Sequence, residues 1–163
     1  MAARKATAPI IIGLIADTHG LVRPSVHSAL AGVSVILHAG DVGSEAILHE
    51  LGAIAPVKAV FGNTDAPDPW LRAEFVHSAG GLRIHVSLGH EVGAPTPAKL
   101  LARYAEEVLV YGHTHRQLVT RAEGRLVVNP GAAGPRRFDL VPSVARLTIV
   151  KGVADVEIVE LTD

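Results

Sequence analysis

The sequence predicts an α/β (α+β) protein built from mixed β-sheets, with helices packed outside them. Two observations predict this class. Short apolar runs rich in β-branched residues occupy the first two thirds of the chain, and such runs are typical of strands buried on both faces. Two alternating hairpin patterns follow in the last third. These elements could form two sheets or one mixed sheet. We see no repeat or linker, so residues 1–163 are expected to form one domain.

Strands are predicted where the apolar runs end abruptly in small or polar residues, at 10–16, 33–37, 57–61 and 108–111, with a further strand over 82–87. The segments between them favour helices over 24–31, 45–51 and 98–104. Ser44 is a candidate cap for the second helix, and Thr96 followed by Pro97 opens the third.

Hairpins are predicted over 117–123 and 125–128, with Gly124 as the turn, and over 143–150 and 153–161, with the turn at 151–152. The exposed strand edges of the last hairpin could pair with another copy. Formation of a homo-oligomer therefore stays open.

Composition limits the classes of partner and site. The chain has 15 basic and 16 acidic residues and no basic block, which disfavours a nucleic-acid partner held by phosphate charge but allows a bound nucleotide. It has no cysteine, so a metal would be held by nitrogen and oxygen atoms. Residues 1–8 resemble a short polar leader, and no apolar run is long enough to cross a membrane. We expect a cytoplasmic protein without a membrane partner.

Candidate metal ligands follow four of the predicted strands, and each set includes or adjoins a glycine. They are Asp17-Thr-His19, Gly40-Asp41, Gly62-Asn63 and Gly112-His113-Thr-His115. Side chains just beyond the carboxyl ends of parallel strands converge on one crevice. Turn chemistry explains any one of these motifs alone, whereas the four in this order indicate a hard-metal site.

This series resembles the pattern of the calcineurin-like metallophosphoesterase superfamily. The short length and the segment Asn129-Pro-Gly131 resemble its small bacterial and archaeal phosphodiesterase branch, which includes the eukaryotic retromer scaffold subunit. The resemblance implies a four-layer sandwich of two mixed sheets flanked by helices. It also implies two divalent ions, with manganese the first expectation and iron, zinc, nickel or cobalt as alternatives.

The resemblance assigns roles to the matching residues. Asp17, His19 and His115 would bind the first ion, Asp41 would bridge, and Asn63 and His113 would bind the second. The expected reaction is hydrolysis of a small phosphodiester or nucleotide by a metal-bridging hydroxide. Asp41 and Asn63 would act directly in catalysis.

Two departures from the family pattern affect these expectations. Thr64 stands where many members have a histidine that protonates the leaving group, and Asp65 is the nearest titratable alternative, unless it only orients the Asn63 loop. Leu88 stands where the branch usually has a histidine ligand of the second ion. His90 could replace that ligand through a loop shift or contact phosphate instead; otherwise the second site is weakened.

Three further residues are candidate substrate contacts beside Asn63: His38, Gly131 and Arg136. His38 has a structural alternative as a buried histidine, and Gly131 has one as part of a plain loop. The alternative to an enzyme is a catalytically weak or inactive scaffold protein of the same fold, which Leu88 would favour.

Overall fold

The computed structural model describes residues 8–66 and 71–163, so the predicted leader lies, except for Ala8, outside the described residues. Ten strands, three α-helices and one 3₁₀ helix are described. In chain order they are β1 (Ile10–Ile15), α1 (Ser25–Ala29), β2 (Val35–His38), α2 (Glu45–Gly52), β3 (Val57–Ala59), β4 (Glu74–Ala79), β5 (Leu82–Ser87), the 3₁₀ helix (His90–Val92), α3 (Pro97–Arg103), β6 (Val108–Val110), β7 (Leu118–Ala122), β8 (Arg125–Asn129), β9 (Ser143–Val150) and β10 (Val153–Glu160).

The strands form two mixed five-stranded sheets. The first has the order β10-β9-β1-β2-β3, in which β1, β2 and β3 run parallel and the β9–β10 hairpin pairs antiparallel with β1. The second has the order β4-β5-β6-β8-β7, with β5, β6 and β8 parallel and the two edge strands antiparallel. The carboxyl ends of these six parallel strands therefore carry the loops that contain the motifs.

The two sheets pack face to face over one apolar core, and the helices cover their outer faces. Ile12 and Leu14 of β1 share the inner core with Val86 and Val110 of the second sheet. The buried side chains of α1 and α2 pack on the outside of the first sheet, and Leu100 of α3 packs on the outside of the second. The result is the four-layer sandwich that the family resemblance implies.

Most predicted elements are present with small shifts at their ends. Helix α3 begins at Pro97, and the hydroxyl of Thr96 accepts a hydrogen bond from the backbone N–H of Lys99. Ser44 occupies the cap position of α2, but its side chain makes no capping hydrogen bond. Strand β4 was not predicted. It is an edge strand whose residues are exposed or only half-buried in alternation, so it lacks the continuous apolar run of the inner strands.

Among the described residues, the helices are too short or too polar to qualify as a membrane span.

Candidate metal centre

The candidate ligands lie where the carboxyl ends of the inner strands of both sheets meet. Asp17 follows β1 of the first sheet, and His113 and His115 follow β6 of the second. The two sheets are joined directly here, because the backbone N–H of His113 donates a 3.0 Å hydrogen bond to Oδ2 of Asp17. A site at this place is held by both halves of the sandwich.

Four side-chain atoms from three loops come close together. Nε2 of His19 lies 3.3 Å from Nε2 of His115, 3.7 Å from Oδ1 of Asp17 and 3.8 Å from Oδ2 of Asp41. Nε2 of His115 lies 3.5 Å from the same Oδ1 of Asp17. Ligands held about 2.1 Å from one ion lie roughly 3.0–3.5 Å from each other in octahedral or tetrahedral geometry. The spacing is therefore close to that of ligands around a single cation.

One buried atom supports this fit. Oδ1 of Asp17 has no hydrogen-bond partner among the described residues, although Asp17 is fully buried. A buried carboxylate oxygen without a partner is costly to desolvate, and a cation between Asp17, His19 and His115 would satisfy it. These three residues form the group whose ligand atoms all lie within 4.8 Å of one another.

The backbone of the ligand loops is held in an unusual conformation. Eight non-glycine residues of the described chain have positive φ, and five of them are candidate ligands: Asp17 (52°), His19 (44°), Asp41 (53°), His113 (72°) and His115 (63°). Left-handed backbone costs an L-residue roughly 1–2 kcal/mol. Such strain persists where the surrounding structure holds it, and it is concentrated at functional sites.

Asp41 is oriented by the neighbouring loop after β3. Its Oδ1 accepts a 3.0 Å hydrogen bond from the backbone N–H of Thr64, which leaves Oδ2 facing His19. The loop comes this close because residue 62 is glycine: a Cβ at Gly62 would collide with Oδ1 of Asp41. The glycine before Asn63 is thus required by the carboxylate, not by its own turn.

The predicted ligands of the second ion are less closely grouped than those of the first. Asn63 is exposed and His113 is half-buried, and neither belongs to the compact ligand group. Leu88 is fully buried beside the glycines that precede Asp41 and His113, since Cβ atoms built on Gly40 and Gly112 would lie 3.3 and 3.2 Å from its side chain. A leucine therefore fills the position between these two loops.

His90 is not in the compact group, which would hold the first ion, and its place as a ligand of the second ion stays a prediction. The extended backbone that would put it on the same face as Leu88 is not present, because Gly89 has φ +97° and His90 begins the 3₁₀ helix. The ring is half-buried, and its Nδ1 lies 3.9 Å from Oε1 of the adjacent Glu91.

Asp65 accepts hydrogen bonds from the backbone, which fits the alternative in which it orients the Asn63 loop. Its Oδ2 accepts hydrogen bonds from the N–H groups of Val42 (2.9 Å) and Gly62 (2.9 Å), and its Oδ1 accepts one from Gly43 (3.0 Å). Burial opposes ionisation, but these three donors outweigh it and lower the pKa of Asp65. A carboxylate held ionised has no proton to give near neutral pH.

The hydrogen bonds of His38 fit the alternative in which it is a buried structural histidine. It is fully buried, and burial lowers its pKa to about 4. Its Nδ1 accepts a hydrogen bond from the N–H of Gly40, so Nε2 carries the proton and donates to the hydroxyl of Thr18 (2.9 Å). Thr18 in turn donates to the carbonyl of Val42. This series of hydrogen bonds connects the Asp17 loop to the Asp41 loop.

The N–H of Gly131 is used within its own loop, which fits the plain-loop alternative to a phosphate contact. The glycine is buried, and its N–H donates to Oδ1 of Asn129 at 2.9 Å.

Asn129 is the positioning residue that sequence reasoning missed. Its Nδ2 donates to the carbonyl of Gly112 (3.2 Å) and the hydroxyl of Thr114 (3.0 Å), within the loop that carries His113 and His115. The signal was its place as the last residue of β8. Arg136 is exposed and stays a predicted phosphate contact.

The two histidines of the compact group differ in protonation tendency. The Asp17 carboxylate beside His19 raises the pKa of that ring against the effect of burial. Burial lowers the pKa of His115, and the positive charge of Arg137 acts in the same direction on both rings. Arg137 therefore lies close enough to contribute positive potential at the site.

Comparisons with known proteins agree on one family. Residues 10–152 match the family model described as the calcineurin-like phosphoesterase superfamily domain. A probable metallophosphoesterase of Methanothermobacter thermautotrophicus is 36% identical, over 92% of this chain and 92% of the relative. A phosphodiesterase of Methanocaldococcus jannaschii is 27% identical, over 74% of this chain and 82% of the relative.

Among solved structures, vacuolar protein sorting 29 from Cryptosporidium parvum superposes with a TM-score of 0.79. The match covers 95% of this chain and 99% of that one at 24% sequence identity. This likeness supports the fold.

Proposed function

We propose, from the premise that this chain belongs to the calcineurin-like phosphoesterase superfamily, that it is a dinuclear metal-dependent phosphodiesterase acting on a small phosphodiester or nucleotide. The observation that carries the proposal is the convergence of ligand atoms from Asp17, His19, Asp41 and His115 in a strained, buried constellation. Nitrogen and oxygen ligands without thiolate suit manganese, with iron, zinc, nickel or cobalt as alternatives.

Each ligand residue has a definite task in this proposal. Asp17, His19 and His115 would hold the first ion, and Asp41, whose Oδ2 faces His19 while its Oδ1 accepts a hydrogen bond from Thr64, would be shared with the second ion. The looser pair, Asn63 and His113, completes the second position. When bound, the ions supply hydroxide for attack on phosphorus and neutralise charge on the phosphoryl group.

The chain offers little help to the leaving group. Thr64 is not an acid near neutral pH, and Asp65 is held ionised by three backbone donors. Hydrolysis should therefore be fastest for esters whose leaving group needs no proton. We expect a steep dependence of rate on the leaving group's own pKa.

Hydrolysis of bis-p-nitrophenyl phosphate tests the proposal. The parent protein should turn this ester over only with added manganese, and Asp41→Asn should lower kcat by at least about 100-fold because the bridging charge is lost. His49→Ala, on the exposed face of α2, is the matched control and should retain parental activity. Turnover that persists in EDTA, or in Asp41→Asn, would contradict the proposal.

A second candidate function, a scaffold without strong activity, is favoured by one observation. Leu88 is fully buried where the branch usually has a metal-binding histidine. Leu88→His, compared with Leu88→Ile as a control without a ligand atom, distinguishes the two. If the parent and Leu88→Ile are both inactive while Leu88→His turns over substrate with manganese, the scaffold function is the better description.

A further inference from the structure

One segment beside the candidate metal centre has an unexplained composition. Residues 135–139 read Pro-Arg-Arg-Phe-Asp and directly follow Gly134, which contacts the Asp17 loop. The N–H of Gly134 donates to the carbonyl of Asp17 at 3.2 Å, and a Cβ at Gly134 would collide with the carbonyl of Thr18. The start of this segment is therefore fixed against the first-ion ligands.

Phe138 is unfavourably placed in this segment in two respects. Its side chain is 87% exposed, the highest exposure among the large apolar residues of the described chain. It also has φ +53° as the second residue of a turn closed by the 3.1 Å hydrogen bond from the N–H of Leu140 to the carbonyl of Arg137. Glycine, asparagine or aspartate is favoured at such a position, and a bulky residue there is an outlier. Neither core packing nor turn formation explains a phenylalanine here.

The surroundings of Phe138 indicate what it could bind. Arg137 precedes it and adds positive potential at His19 and His115, and Arg136 is exposed beside it. Phe138 is four residues from Gly134, so it lies at most about 14 Å from it along an extended chain. A ligand whose phosphate is at the metal centre can extend toward an aromatic face across an arginine-rich segment.

We infer that Phe138 is a stacking platform for the nucleobase of a nucleotide-type phosphodiester, with Arg136 and Arg137 attracting its phosphate. A nucleobase has a flat π-face that stacks on an aromatic ring without sequence-specific hydrogen bonds, typically contributing about tenfold or more in affinity. The near-neutral net charge fits a nucleotide in a pocket and not a long polyanion. The inference rests on the proposed function of the adjacent site and names its class of substrate.

Binding calorimetry on the manganese-loaded protein tests the inference without requiring turnover. Adenosine 5′-monophosphate and ribose 5-phosphate are titrated separately, since they share the sugar phosphate and differ in the base. The parent should bind the nucleotide about tenfold more tightly. Phe138→Ala should remove most of that preference and Phe138→Tyr should keep it. Val153→Ala, another exposed apolar position, is the matched control and should also keep it.

The two proposals can fail separately. A base preference that depends on Phe138 in a protein inactive toward bis-p-nitrophenyl phosphate would support the platform and contradict the phosphodiesterase. Equal dissociation constants for the two ligands in the parent would overturn the platform, even in an active enzyme. A preference that is unchanged in Phe138→Ala would do the same. Contact with another protein would then be the better explanation of the exposed ring.

Discussion

At the scale of single residues, the site depends on groups that hold loops as much as on groups that hold metal. His38 in its Nε2–H form connects Gly40 to Thr18, Asp65 gathers three backbone N–H groups, and Asn129 connects β8 to the histidine loop. None of these side chains belongs to the compact ligand group. They help to keep the left-handed backbone of the ligand loops in place, because each of the three side chains makes at least one hydrogen bond to a different loop.

Asp65 gives a residue-scale prediction with a defined pH dependence. In Asp65→Asn, one carboxylate oxygen becomes an N–H donor that faces a backbone N–H, so the free energy of unfolding should fall by about 1–2 kcal/mol at pH 7. The pKa of Asp65 is lowered in the folded state from 3.8, so its contribution is present above that value and is lost as pH falls through the folded-state pKa. The difference between variant and parent should shrink below about pH 4.

Urea denaturation in EDTA at pH 7, 5 and 3 measures this difference. Asp155→Asn changes an exposed carboxylate and should alter stability by less than about 0.5 kcal/mol at any of these pH values. A stability difference for Asp65→Asn that stays constant from pH 7 to 3 would show that the ionised form is not what holds the loop.

At the scale of elements, Arg125 is the link between α3 and the second sheet. From the first residue of β8, its guanidinium donates to the carbonyls of Leu101 (2.8 Å) and Tyr104 (2.5 Å), at the end of α3. The last carbonyls of a helix have no partner within the helix. The fork satisfies the carbonyl of Leu101 in the last turn of α3 and that of Tyr104, the residue directly after the helix. The residue also fixes how the helix lies on its sheet.

Arg125→Lys should lower the free energy of unfolding by about 1–2 kcal/mol, because an ammonium group cannot reproduce the planar fork. Thermal or urea unfolding measures the change. Arg116→Lys, whose exposed side chain makes no such fork, is the control and should be neutral. Equal effects of the two substitutions would mean that the Arg125 contacts contribute nothing specific.

The elements also show how far sequence reasoning reaches. The inner strands and the ligand series were predictable because burial on both faces leaves a continuous apolar run and because each run ends in residues of metal-binding type. The outcome at His90 was not, since it depends on the left-handed turn at Gly89, and glycine permits that conformation without requiring it. The hydrogen bonds of His38 with Thr18, and of Asn129 with Gly112 and Thr114, join residues that are distant in the chain, and local patterns do not specify such partners.

At the scale of the whole molecule, the metal centre is a junction between the two sheets. Asp17 and His19 leave β1 of the first sheet, whereas His115 follows β6 of the second, and their ligand atoms meet within 4.8 Å. Only the folded chain brings these atoms together. An ion that binds them is therefore coupled to global unfolding, beyond any local effect on the loops.

Metal addition should consequently raise the melting temperature. At a free manganese concentration 100 times the dissociation constant, the added stability is about 2.7 kcal/mol, which corresponds to roughly 5–10 °C in a domain of this size. Thermal unfolding with manganese and with EDTA measures the shift. Asp17→Asn and His115→Ala should lose it, because each removes a ligand that faces the shared point, whereas His49→Ala should keep the full shift. A rise in melting temperature of the same size in Asp17→Asn would place the stabilising ion elsewhere. No rise in the parent would mean that the converging ligands do not hold manganese between the sheets.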